Sequence, residues 1–182
     1  MATTSMDAVE LLKTDHRKAE KWFGKYEKSE ELEQRRQLAL EICTELTIHT
    51  MIEEEIFYPA CMGQVGEETM DDAYVEHDGA KVLISEIGAG SPSDKFYDAK
   101  VRVLSEMIKH HVKEEEKLRT GMFAQAKRAD VDLESLGRRM TERKQELQAQ
   151  IEAHGLPTPE TRSYSGHELE QGSPLRRSGA SA

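Results

Sequence analysis

The sequence predicts an all-α protein, a bundle of antiparallel helices. Three observations predict it. Five segments carry apolar residues at the spacing of a helix with one buried face. No stretch of any length alternates apolar and polar residues as a half-buried strand would. The linkers between segments are short, so successive helices become antiparallel neighbours. Composition agrees: 37% apolar, 33% charged and only 5% aromatic residues suit long helices with one wet face.

The first helix is expected from Asp7, a good N-cap with Glu10 three residues on, to about Glu27. Its stripe is Val9, Leu12, Ala19 and Phe23, with His16 in the middle. Ser29 is the expected next cap, followed by the acidic turn Glu30 and Glu31. The second helix then runs to about Cys61 on Leu38, Ile42, Leu46, His49, Ile52, Glu53, Ile56 and Ala60, with Gly63 as its stop. The third covers about Glu67 to Ile87 on Met70, Ala73, Tyr74, His77, Ala80, Ile84 and Ile87, and Gly88, Gly90, Ser91 and Pro92 break it. The fourth starts near Ser93 on Tyr97, Val101, Leu104, Ile108, His111, Glu115 and Leu118, and Gly121 disturbs it before Met122 to Ala129. A fifth, about Asp130 to Ala153, aligns Leu133, Leu136, Met140, Leu147 and Ile151 without an interior histidine, so it should dock outside the others or join a partner. Pro157, Pro159 and the Ser and Gly residues beyond read as a disordered tail.

The 182 residues allow one ordinary domain plus an appendage. A net charge of −10 argues against nucleic acid or an anionic membrane as partner. No stretch approaches the ~20 apolar residues of a membrane span. Met1 to Met6 hold neither an apolar run nor a basic leader, so no secretory signal is expected. Cys43 and Cys61 fall on one expected helix about 27 Å apart, too far for a mutual disulfide. A reducing, cytoplasmic setting fits.

Chemistry concentrates in four histidines. His16, His49, His77 and His111 sit at the centres of four stripes, and Glu53 and Glu115 follow His49 and His111 by one turn. A lone-His helix followed by a His-x-x-x-Glu helix occurs twice, with 33 residues from His16 to His49 and 34 from His77 to His111. The repeat points to a pseudo-two-fold bundle. A core tolerates that many polar groups only if something binds them all. Imidazole with carboxylate suits iron, manganese or zinc. Two carboxylates can each bridge two ions, and six protein ligands leave positions open for small molecules. His110 and Glu114 repeat the same spacing. Helical phase puts His111 and Glu115 mid-stripe and the other pair about 100° away at its edge, leaving that pair as the alternative. Within the two acidic runs, Glu54, Glu55 and Glu116 are expected at the surface.

These stretches carry a resemblance: Asp15-His16-Arg17; residues 45–59 around His49-Thr50-Met51-Ile52-Glu53; Glu76-His77; and His110-His111-Val112-Lys113-Glu114-Glu115-Glu116. Over roughly residues 7 to 127 the chain resembles the bacterial hemerythrin-like proteins of the HHE cation-binding family. The resemblance implies an up-down-up-down four-helix bundle around a non-haem di-iron centre, with or without an oxo or hydroxo bridge, manganese or zinc being the alternatives. It implies His16 and His49 on one iron, His77 and His111 on the other, and Glu53 and Glu115 bridging.

The chain departs from oxygen-carrying hemerythrins. Their fifth histidine would fall at Ala73, and the second bridging acid is Glu at four residues after His111, not Asp at five. One iron should therefore have an open position or a substitute ligand, for which Tyr74 is the candidate. That argues against reversible oxygen carriage and favours sensing, peroxide or nitric oxide chemistry, or iron handling. The implied function is binding of dioxygen or a related small oxidant. Alternatives are an enzyme acting on peroxide or nitric oxide, and an iron- or oxygen-dependent regulatory interaction protein. The ferritin-like class is excluded by order, since it uses Glu-x-x-His with lone Glu helices. The expected layout is a bundle over residues 1–128, an accessory helix over 129–154 and a disordered tail over 155–182, in a monomer or a weak homo-oligomer formed through the accessory helix.

Overall fold

Asp7 caps the first helix as its position predicts, its carboxylate accepting the Glu10 N–H at 2.8 Å. A computed structural model describes residues 6–164, and it is all-helical, with no strand among the described residues. In chain order come α1 (Ala8–Lys28), α2 (Leu32–Ile52), a π-helical turn (Glu53–Phe57), α3 (Tyr58–Cys61), α4 (Glu67–Ala89), α5 (Tyr97–Glu115), α6 (Met122–Arg128) and α7 (Leu133–His154). α1, α2, α4 and α5 form the bundle: each packs on the next, and α5 closes back on α1. α7 lies outside against α1, α2 and the π turn, burying Leu136, Met140 and Leu147. Its apolar stripe is thus covered by its own bundle. Gly137 allows this approach, since a Cβ there would collide with the Met6 carbonyl oxygen.

Buried apolar side chains fall into two lobes. One gathers Val9, Leu12, Ile52, Phe57, Met70, Met122, Phe123, Met140 and their neighbours. The other gathers Phe23, Tyr26, Ile42, Leu46, Ile84, Tyr97, Leu104 and theirs. Each large fully buried aliphatic contributes about 1.5–3 kcal/mol. On α1, α2 and α4 the histidine sits where one lobe gives way to the other. His16 lies between Leu12 and Ala19, and His49 between Leu46 and Ile52.

Several expectations shift. Ser29 does not cap α2. It ends α1, its N–H bonded to the Tyr26 carbonyl, and α2 begins at Leu32 after Glu31. Leu118, expected on the inward stripe, is 96% exposed, because α5 stops at Glu115. The chain then turns so tightly that a Cβ on Gly121 would collide with the Glu115 carbonyl oxygen. The expected tail also changes. Residues 155–164 run back along α4, where Arg162 and Ser163 hydrogen-bond Asp78. The rest of that tail, 165–182, lies outside the described residues.

Candidate metal centre

The four histidines converge on the bundle axis. His77 Nε2 and His111 Nε2 are 3.2 Å apart. Glu53 Oε2 lies 3.1 Å from His49 Nε2 and 3.3 Å from His77 Nε2. Glu115 Oε2 lies 3.3 Å from His16 Nε2 and 3.5 Å from His111 Nε2. Each carboxylate therefore spans from one histidine pair to the other. Two groups of donor atoms result, His16 with His49, Glu53 and Glu115, and Glu53 with His77 and His111; within each, all donors lie within 4.8 Å of one another. All six residues are buried. His110, by contrast, is exposed and Glu114 half-buried, as their phase at the stripe's edge requires.

These residues fit a pair of cations. His16 Nε2, both ring nitrogens of His49, Glu53 Oε1 and Glu115 Oε2 are buried without a hydrogen-bond partner among the described residues. Leaving one such atom unpaired costs about 1–3 kcal/mol. Bound cations would satisfy the inward-facing ones, all but His49 Nδ1, together, and imidazole plus carboxylate is a donor set for first-row metals.

Behind each histidine stands another carboxylate. His16 Nδ1 meets Glu116 Oε1 at 2.8 Å, His77 Nδ1 meets Glu54 Oε1 at 3.0 Å and His111 Nδ1 meets Glu76 Oε2 at 2.8 Å. His49 Nδ1 is 3.7 Å from Asp15 Oδ2. Such partners fix the ring and point the Nε2 lone pair inward. Sequence reasoning missed this layer. Glu54, expected in solvent, is buried against His77, and Glu116 is half-buried on His16. Asp15 and Glu76 had one available signal, each standing next to a stripe histidine in the sequence, although the ring each meets belongs to another helix.

The π turn explains a further miss, Tyr58. At α spacing Tyr58 would lie about 140° round the helix from Glu53. In the turn the Tyr58 N–H bonds the Glu53 carbonyl, and residues five apart come close to one face. The Tyr58 hydroxyl thus reaches the centre, 3.1 Å from His77 Nε2, 3.3 Å from Glu115 Oε1 and 3.5 Å from Glu53 Oε2. Tyr74, the sequence candidate for this place, instead sets its ring edge-on to Tyr58 and faces Arg162. Ala73 packs into the first lobe.

Burial opposes charge here, yet charges are held. It pushes the Glu53 carboxyl up, but His49 and His77 outweigh it and keep the group well below the ordinary carboxylate range. It pushes His49 down, but Glu53 and Asp15 raise the ring to about 10. His77 rises to about 8 against burial through Glu53 and Glu54. Burial, then the Glu53 and Glu115 carboxylates, push Tyr58 well above its usual value, so it remains a neutral phenol. Burial also lifts Cys43 and Cys61 to about 12, leaving both free thiols unreactive. A cavity of about 390 Å³ lined by Asp72, Glu76, His110, Glu114 and Met122 includes His111 and Glu115 in its wall.

Known proteins resemble the chain in the same region. The family described as hemerythrin HHE cation binding domain matches residues 7–123. A protein named DNA nickase from a Nostoc species is 30% identical over 111 residues, which cover 61% of this chain and 32% of that protein. The chain thus spans about a third of this curated relative's length. The crystal structure of a hemerythrin HHE cation binding domain-containing protein from Mycobacterium kansasii superposes with a TM-score of 0.68 at 23% identity, over 83% of this chain and 95% of the other. No helix among the described residues is long and apolar enough to cross a membrane. The helical bundle, its axial His and Glu clusters able to hold metal and the match over residues 7–123 together make this chain a member of the hemerythrin HHE cation-binding domain family.

Proposed function

We propose that the chain is a non-haem di-iron protein that binds dioxygen or a related small oxidant, in sensing, storage or detoxification. The observation that carries this reading is the convergence of four imidazoles and two shared carboxylates with orphaned polar atoms at the axis. His16 and His49 hold one ion, His77 and His111 the other, and Glu53 and Glu115 are shared. Iron bound there supplies redox change and open positions for a small ligand. The chain's own residues do the rest. Glu116, Glu54 and Glu76 hold the Nδ1 protons of His16, His77 and His111, so those Nε2 atoms face inward. The two apolar lobes limit water. The cavity beside His111 and Glu115 admits a small molecule. The net charge of −10 supports such a partner over nucleic acid.

A second reading, an enzyme acting on peroxide or nitric oxide, is favoured by Tyr58. A buried phenol 3.1 Å from His77 Nε2 is placed to donate a hydrogen bond to a ligand at the centre. Metal analysis and the optical spectrum of aerobically purified protein test both readings. Two irons per chain and an oxygen-dependent visible band are expected. Peroxide consumed over many turnovers, and lost in Tyr58→Phe, selects the enzyme. A protein isolated without transition metal that takes none up overturns both.

A further inference from the structure

The family match stops at residue 123, yet the chain beyond it returns to the metal centre twice. α7 brings Lys144 onto Asp15, the carboxylate behind His49. After Gly155, at φ 82°, residues 155–164 run back as a strap along α4. Leu156 packs on the second lobe, and a Cβ at Gly88 would sit only 3.2 Å from it. Lys81 Nζ donates to the Glu160 carbonyl at 2.9 Å. Asp78 Oδ2 accepts the Arg162 N–H at 2.8 Å, the Ser163 N–H at 2.6 Å and the Ser163 hydroxyl at 2.7 Å. The Asp78 side chain is fully buried beside Lys81, so the strap's donors are what make its charge tolerable. Arg162 Nε then donates to Glu54 Oε2 at 2.9 Å, and Glu54 is the carboxylate behind His77.

Each outer carboxylate has a basic side chain beside it. Glu116 takes Arg17 and Glu76 takes His110, both from bundle helices. Asp15 takes Lys144, and Glu54 takes Lys81 and Arg162. So the region beyond the family match supplies one cation toward each group of donors. A carboxylate behind a ligating histidine sets the ring's orientation and basicity. A cation on that carboxylate anchors it and draws off part of its charge.

We propose that the C-terminal region tunes the metal centre through two chains of contact, Lys144–Asp15–His49 and Arg162–Glu54–His77, with Lys144 and Arg162 as positioning residues for opposite ends of the centre. This rests on the reading of those histidines as metal-holding. The test loads the full chain with iron-57 and records Mössbauer spectra alongside iron loss to a chelator. Wild type gives two quadrupole doublets. Arg162→Ala shifts one and speeds one phase of iron loss on the order of tenfold. Lys144→Ala shifts the other, and Arg162→Lys returns its doublet toward wild type. A strap that only braces the fold lowers the apo melting temperature of Arg162→Ala while both doublets and both phases stay put, and that result overturns the tuning. Both variants moving one and the same doublet overturns it too. Wild type that takes up no iron overturns the metal reading itself, and the tuning with it.

Discussion

The two halves of the centre differ where the sequence repeat would make them alike. In the half formed by His16, His49, Glu53 and Glu115, the inward nitrogens are orphaned. In the half formed by His77 and His111, those nitrogens lie close to one another, and a phenol stands beside them. The first half has no equivalent of Tyr58 among the described residues: His16 stacks on Phe123 instead. A near-two-fold arrangement of helices thus yields two positions of different chemistry. One is enclosed by His, Glu and an apolar ring; the other adds a hydrogen-bond donor. Asymmetry of this kind fits activating a small ligand at one position while the other holds charge.

The largest effect is expected from the residue the halves share. Glu53→Gln should empty both positions, and metal analysis should show iron per chain near zero. The metal-linked stabilisation, about 4 kcal/mol at free metal near a thousandfold above Kd, would go with it, read as the loss of any melting shift on iron addition. His77→Ala should empty one half only, leaving about one iron per chain. Equal residual iron in these two variants would mean that Glu53 is not shared. Tyr58→Phe should be smaller still. Occupancy stays at two, stability changes by about 1 kcal/mol, and only the spectral features of the His77 half move; a change in both halves would remove the asymmetry argued above. The smallest effect belongs to Leu118→Ala, just past the end of the His111 helix. Its side chain lies in solvent, so denaturant unfolding should shift by less than about 0.5 kcal/mol. A loss of several kcal/mol would restore Leu118 to the inward stripe.

Much of this was legible in the sequence because it is a matter of phase. A single angle per residue places His16, His49, His77 and His111 among apolar neighbours, and separates His111 from His110. The structure brings the six predicted residues together for that reason. The same arithmetic fails where the angle changes. The π turn re-aims Tyr58 and tucks Glu54 inward, and extrapolating α5 past Glu115 put Leu118 in the wrong place. Contacts between distant segments left no periodic trace at all. Nothing local to Arg162 or Ser163 reveals that their partners are Glu54 and Asp78, more than eighty residues earlier. Prolines and small polar residues, correctly read as non-helical, were wrongly equated with disorder over 155–164.

The wide turn at Glu53–Phe57 is equivalent to one inserted codon in an otherwise regular rod. Subtracting a residue just after Glu53 would let the rod spring back to ~3.6 residues per turn. Tyr58 would then stand four residues after Glu53, about 40° round the rod, so acid and phenol would both keep their inward aim. The extra residue is thus absorbed by widening one turn, and the acid and the phenol keep the relation that an uninterrupted rod would give them at a spacing of four.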